Sequence, residues 1–212
     1  IGYPKFFPTW KKVVQDYSSV NGITAPNRMH VVIFSRHVHP YYMDKDTYIF
    51  LLTSAVQSVR NTLGSTQIII KPHPREDVDL IQDIVRQQGF TGIGISNEHP
   101  AVLAQNALFA ISFWGSVILD PLSFGIPAIE YCIEAKRFRE QEPEGSSYSN
   151  LGIDSVDNPI DLETFIQRVV EGDYTIPKIV HELSEAIYID RIIEVVDPDT
   201  ALVNSREIHT EN

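Results

Sequence analysis

Two hydrophobic rhythms take turns along the chain. Short apolar runs without strict alternation occur at 29-MHVVIFS-35, 67-QIIIK-71, 91-TGIGIS-96, 108-LFAISF-113 and 127-PAIEYCI-133, a pattern that fits strands buried on both faces. Between and after them, helical spacing or helix punctuation marks 46–63, 76–89, 99–106, 116–125, 159–172 and 177–187. Gly64, Gly89 and Gly125 stand at helix ends, Pro100, Pro159 and Pro177 at helix starts, and acids fill the first turn of 76–89. This alternation predicts an α/β fold, a Rossmann-like doubly wound parallel sheet. Residues 1–28, with Pro4, Pro8, an amphipathic turn around Trp10–Tyr17 and the polar loop 18–28, read as a lead-in. Residues 29–187 form the expected sheet domain, with a long loop at 134–151, and 188–212 an extension.

In such sheets ligands bind beyond the carboxyl ends of the strands, so the residues just after each strand are the ones to inspect. Arg36 and His37 follow the first strand; Lys71, His73 and Arg75 the second; Ser96, Asn97, Glu98 and His99 the third; Gly115 and Ser116 the fourth. If the first two strands are neighbours, five cationic or donor groups crowd one rim and make an anion site. His73 is bracketed by Pro72 and Pro74. Pro72 ends the strand because it cannot donate to a ladder, and Pro74 holds His73 extended. An imidazole so clamped can point one nitrogen at a phosphoryl oxygen; the alternative is a rigid turn with a solvent-facing ring. Gly115 lets a backbone approach a ligand, and Ser116 is placed to cap the following helix, whose amides would seat an anion. Asp120, at i+4 from Ser116, shares that helix face and could accept from ribose hydroxyls; the alternatives are a solvent-facing carboxylate or a cap. Pro121 is expected to bend this helix. Ser96, Asn97 and Glu98 are the candidate contacts to a nucleotide base.

Composition narrows the classes. The chain has 212 residues and a net charge of −11. Residues 1–128 hold 10 Lys/Arg and 9 Asp/Glu, and residues 129–212 hold 7 and 19. So acidic a second half argues against a nucleic-acid surface. The single cysteine, Cys132, excludes a disulfide framework and a cysteine zinc site and fits a reducing compartment. No apolar run approaches the roughly 20 residues of a membrane span. GxGxxG, P-loop, GxSxG and HExxH patterns are missing, so no cofactor and no metal is expected. His30 and His181 read as structural, Trp10 and Trp114 as packing anchors, with Trp114 also placed to line a ligand mouth. A chain that begins at Ile1 fits a piece of a longer protein.

The stretches 1-IGYPKF-6, 71-KPHPR-75 and 111-ISFWGSVILDPLSFGIPAIEY-131 resemble the C-terminal, nucleotide-binding half of GT-B glycosyltransferases of the capsule and surface-polysaccharide type, among them bacterial sialyltransferases and polysialyltransferases and CDP-glycerol glycerophosphotransferases. The resemblance covers roughly residues 1–172 and implies a single GT-B half-domain. In it His73 matches the His-Pro histidine that contacts the donor phosphate or leaving nucleotide. Ser116 matches the second serine of a Ser-Ser phosphate motif, Gly115 stands in place of the first, and Asp120 falls near an acidic ribose contact. The implied partners are a CMP-, CDP- or UDP-linked donor as substrate and a saccharide or lipid-linked acceptor. The acceptor domain and the general base would precede this chain. The implied setting is cytoplasmic, with the whole protein peripheral to the inner face of the membrane. A UDP-GlcNAc 2-epimerase-like enzyme and a non-catalytic binding module on the same fold are the alternatives.

Overall fold

The computed structural model describes residues 4–21, 30–40, 43–133 and 148–178. Its elements follow the predicted alternation: a 3-10 turn Pro4–Phe6, α1 Pro8–Val20, β1 His30–Phe34, α2 Lys45–Leu63, β2 Gln67–Lys71, α3 Val78–Gln87, β3 Ile93–Ile95, α4 Pro100–Ala104, β4 Ala107–Ser112, a 3-10 turn Ser116–Ile118, α5 Leu119–Ser123, β5 Ala128–Tyr131, a 3-10 turn Ser149–Leu151, β6 Ser155–Val156 and α6 Pro159–Glu171. The strands form one parallel sheet in the order β3-β2-β1-β4-β5-β6. This is the α/β, Rossmann-like, doubly wound parallel sheet expected.

The apolar runs are continuous because both faces are covered. Val31 and Ile33 of β1 point into a cluster with Leu51, Leu52, Ile81 and Phe165 from α2, α3 and α6. Val32 and Phe34 point to the opposite face, with Leu103, Leu119 and Leu122 from α4 and α5. Burying such a side chain stabilises by about 1.5–3 kcal/mol. Helix ends follow local chemistry. Asp44 caps α2 through Thr47 N, and Gly64 ends it at φ +59°. Asp77 caps α3 through Asp79 N and Leu80 N. Asn158 caps α6 ahead of Pro159.

Three expectations change. The amphipathic turn in the lead-in is a 13-residue helix, α1, which buries Val14 and Ser18. The helix expected over 116–125 is a 3-10 turn followed by the five-residue α5. Pro121 does not bend it. It is the third residue of α5, where a backbone N–H has no intrahelical partner to lose. Strand β6 is an addition. The helix expected at 177–187, His181 and the extension 188–212 lie outside the described residues, as does most of the loop 134–151.

Candidate nucleotide-binding edge of the sheet

Register brings the candidate loops together. Phe34 pairs with Lys71 on one side and with Ser112 on the other. Ser35 N donates to Lys71 O at 3.2 Å, and Phe113 N donates to Phe34 O at 2.9 Å. The three chains therefore leave the sheet side by side, with the β1 loop between the β2 and β4 loops. Arg36 ties the β1 loop to the β4 loop. Its Nη1 donates to Trp114 O at 2.6 Å, and its guanidinium lies 4.5 Å over the Trp114 ring, a cation–π contact. Trp114 holds this position at φ +59°, a left-handed conformation that a bulky side chain rarely adopts; such strain concentrates at ligand-binding turns. On the other side of the β1 loop, the rings of His37 and His73 lie 4.7 Å apart, tilted 33°.

His73 is held by hydrogen bonds from both its backbone and its ring. Its backbone N–H donates to Glu76 Oε2 at 2.8 Å, and its Nδ1 accepts from Arg75 N at 3.1 Å. An acceptor Nδ1 puts the proton of the neutral ring on Nε2, which is left to donate outward. Its pKa lies below the ordinary histidine value because of burial and then the nearby Arg36, Arg75 and Lys71. His37 is lowered likewise, by burial first and then by His73, Arg36, His39 and Arg75. Lys71 is lowered by burial against the opposing pull of Glu76 and Glu98, and its Nζ donates to Pro72 O at 3.0 Å. Both imidazoles are thus neutral at neutral pH, surrounded by cations.

Behind the rim stands Glu76. Its carboxylate accepts from Ser35 Oγ at 2.8 Å, from His73 N and from the Tyr48 hydroxyl. Burial raises its pKa above the ordinary carboxylate value against these three donors and Lys71; the Tyr48 phenol is raised as well, by burial and then Glu76. Glu76 ties the ends of β1, β2 and α2 into one frame for His73. In the sequence it reads only as one of the acids in the first turn of a helix.

The remaining candidates are less uniform. The N-cap of the 3-10 turn is Gly115, at φ 167°, so Ser116 does not cap it. Ser116 is exposed, and α5 is too short to offer much of a dipole. Gly115 needs no special conformation either: that φ is extended, and an added Cβ would lie 3.9 Å from Arg36 Nη1. Asp120 is 2% exposed and its Oδ2 pairs with Lys5 Nζ at 2.7 Å. Burial raises its pKa, opposed first by Lys5. Ser96 and Glu98 form a local turn in which Ser96 Oγ accepts from Glu98 N at 3.2 Å, and Asn97 is exposed. They follow β3, three strand spacings or roughly 14 Å from β4, and Glu98 is close enough to the rim to act on Lys71.

The chain after β3 then crosses to a cleft of about 450 Å³ lined by Lys5, Trp10, His99, Pro100, Ser116 and Asp120. His99 Nδ1 accepts from Ala101 N at 3.2 Å and caps α4, and its ring meets that of Trp10 edge-on at 5.6 Å. Lys5 was not singled out from the sequence, and His99 only as the last of the residues that follow the third strand. Lys5 precedes Asp120 by 115 positions, and no local pattern links them. His30 is structural as expected, with Nε2 3.1 Å from Leu103 O. No cluster of three or more metal-ligating side chains occurs among the described residues. No helix among them is long and apolar enough to cross a membrane.

No protein-family model matches the chain, and no curated protein sequence matches it. Solved structures do. The UDP-GlcNAc 2-epimerase of Methanocaldococcus jannaschii, in complex with UDP-GlcNAc and UDP, superposes with a TM-score of 0.60 at 14% identity over 92% of this chain and 53% of that one. A variant of the wall teichoic acid polymerase TagF superposes with a TM-score of 0.50 at 14% identity over 95% of this chain and 52% of that one. The chain spans about half the length of these structures, and likeness at this identity establishes the fold.

Proposed function

We propose that this chain is the donor-nucleotide-binding half of a GT-B transferase that uses a nucleotide-activated sugar or glycerophosphate in surface-polysaccharide assembly. The observation that carries the reading is the convergence of Arg36, His37, Lys71, His73 and Arg75 on one side of the Trp114–Ser116 turn. The donor diphosphate lies between the 71–75 loop and that turn, and the nucleoside runs into the cleft between Trp10, His99 and Asp120, where the carboxylate receives the ribose. The base then rests near His99 and the Ser96–Glu98 turn that precedes it. As the bond to the donor breaks, negative charge grows on the leaving phosphate, and preorganised donors that meet it lower the barrier. His73 Nε2–H and the guanidiniums of Arg36 and Arg75 are such donors. The acceptor, a saccharide or lipid-linked chain, and the general base come from a preceding domain, with which the whole protein works at the cytoplasmic face of the membrane.

Two similar folds support a nucleotide-sugar ligand by what they are: one holds UDP and UDP-GlcNAc, the other is a cell-wall polymerase. The first also keeps an epimerase reading open, and product analysis of the whole protein separates the two, as an epimer against an elongated acceptor. The binding claim is tested by isothermal titration of this chain with CMP, CDP, UDP and GDP. Millimolar or tighter binding of one or more, weakened at least tenfold by His73→Ala or Arg36→Met, is expected. No heat with any of the four would end the proposal.

A further inference from the structure

The face of the sheet opposite α4 and α5 carries a groove that the nucleotide reading leaves unused. It encloses about 510 Å³ between α2, the end of α3 and the start of α6. It begins beside Asp46, two residues before the Tyr48 that binds Glu76, and runs along α2 to Asn61 and Gln88. From Asp46 to Asn61 the helix rises about 22 Å. The lining is selective in two ways. First, it is rich in groups that both donate and accept. Gln57 Nε2 donates to Asn61 Oδ1 at 2.8 Å, and Asn61 Nδ2 donates to Glu163 Oε1 at 2.8 Å, so a relay crosses from α2 to α6. A second N–H on each amide, Gln57 Oε1 and Glu163 Oε2 remain for a ligand. Beneath the relay, Thr53 Oγ1 and Ser58 Oγ are buried with no hydrogen-bond partner among the described residues, and Ser58 is only 1% exposed. Native proteins rarely leave buried hydroxyls so. Phe50, 45% exposed, supplies an aromatic surface in the same groove. Second, among the described residues no lysine, arginine or histidine lines the groove, whereas Asp46 and Glu163 do.

We propose that this groove binds a neutral oligosaccharide, at a site separate from the nucleotide edge. Sugar hydroxyls donate and accept at once, so they match the amides, the carboxylates and the buried hydroxyls. The C–H face of a sugar ring matches Phe50, whose ring is negative on its face. An anionic chain, sialylated or phosphate-linked, meets two carboxylates and no cation, and repulsion disfavours it. A helix from a protein partner has its backbone groups already paired and would bury the amides with little in return. The ligand class follows from the groove alone and does not rest on the nucleotide reading. Where that reading holds, the groove starts at the edge of the sheet where transfer occurs and leads away from it, so the acceptor it suits is a neutral polymer.

The test is titration of the isotope-labelled chain with maltohexaose, cellohexaose and chitohexaose, and with hexamers of sialic acid and of glycerol phosphate, followed by amide chemical shifts. At least one neutral hexamer should bind with a Kd of about a millimolar or tighter and shift the amides of Phe50, Gln57, Asn61 and Glu163, leaving those of His37 and Arg75 in place. Phe50→Ala should weaken it about fivefold or more, the worth of one aromatic contact. Gln57→Ala should weaken it about threefold or more. Both residues are exposed, and thermal melts check that the variants fold. The anionic hexamers should leave the groove amides unmoved. No shift of those amides with any neutral hexamer overturns the inference. So does affinity that survives both substitutions undiminished, or an anionic hexamer that moves the same amides as strongly. The mapping on wild type needs no variant. UDP binding is a separate measurement: its failure removes the nucleotide reading and leaves this site standing.

Discussion

Replacing Glu76 tests the frame that holds His73. The carboxylate accepts three hydrogen bonds, from Ser35 Oγ, His73 N and Tyr48 OH. Glu76→Ala strands three donors in a half-buried position. A donor left unsatisfied costs about 1–3 kcal/mol, less where water can reach it. Against that stands relief from holding a desolvated carboxylate, the effect that raises the pKa of Glu76. The net loss should be about 2–4 kcal/mol. At roughly 2–4 °C per kcal/mol for a chain of this size, that lowers Tm by about 5–15 °C. Glu76→Gln should cost about 1 kcal/mol or less: the amide oxygen can serve Ser35 and His73, while the amide NH2 donates to Tyr48, whose hydroxyl can accept. The pH dependence has a definite sign. A carboxyl whose folded pKa is raised contributes stability that is complete below its unfolded value, near 4.5, and that is lost as pH rises through the folded value. The stability gap between wild type and Glu76→Gln should therefore be largest near pH 4.5 and shrink as pH rises. Urea unfolding at several pH values, followed by circular dichroism, measures both quantities. A Glu76→Ala protein within about 0.5 kcal/mol of wild type, on the order of an ordinary surface change, or a gap that widens with pH, would refute the reasoning.

Further outcomes follow from the rim. UDP should bind more tightly at pH 6 than at pH 8, because an anion raises the depressed pKa values of His37 and His73 and binding takes up protons; calorimetry in buffers of different ionisation heat should show that uptake, and His73→Ala should reduce it. Arg36→Lys should bind UDP about as weakly as Arg36→Met, since the bond to Trp114 O and the stacking on its ring need a planar guanidinium; an Arg36→Lys protein with wild-type affinity would count against that role. Gly115→Ser should change stability by less than about 0.5 kcal/mol, because the backbone is extended and the added Cβ meets its nearest atoms at 3.9 Å; a loss above about 1 kcal/mol in a urea melt would show that this turn tolerates no side chain.

Much of the fold was legible because burial on both faces writes an uninterrupted apolar run, as in β1, β4 and β5, and the partly buried β2 and β3 keep enough of it to be read. The sixth, Ser155–Val156, was not: it pairs with a single neighbour over two residues and has no room for a run. The segment 116–125 has helical spacing, yet it splits into a 3-10 turn and a short helix, because spacing marks the buried face without fixing the hydrogen-bond pattern. The cationic rim could be anticipated because strand ends in a parallel sheet converge by register. What could not be read were partnerships made across the fold. Glu76 shares the signature of any acid at a helix start. Lys5 meets Asp120 only after the 3-10 turn at Pro4–Phe6 has docked on α5 and α1 on α4. His99 takes a capping role that a sequence usually gives to serine, threonine or aspartate.

Charge accounting distinguishes the two parts of the proposed site. The cleft is balanced in the free protein: Lys5 faces Asp120, and a ligand there must exchange with an existing pair. The rim is rich in cations: the guanidiniums of Arg36 and Arg75 and the ammonium of Lys71 all act against charging His73, while Glu76 behind it accepts from His73 N and from two hydroxyls. Cations crowded in this way repel one another, and an anion placed among them relieves that repulsion and allows an imidazole to charge. The cleft therefore suits the neutral, hydroxylated end of a nucleotide and the cation-rich rim its phosphates. The two meet at Ser116, whose residue lines the cleft and whose preceding turn is tied to Arg36. A ligand with charge at both ends would have to break the Lys5–Asp120 pair without supplying a diol. One without charge would leave the cations of the rim unused. A nucleoside diphosphate meets both demands in one molecule.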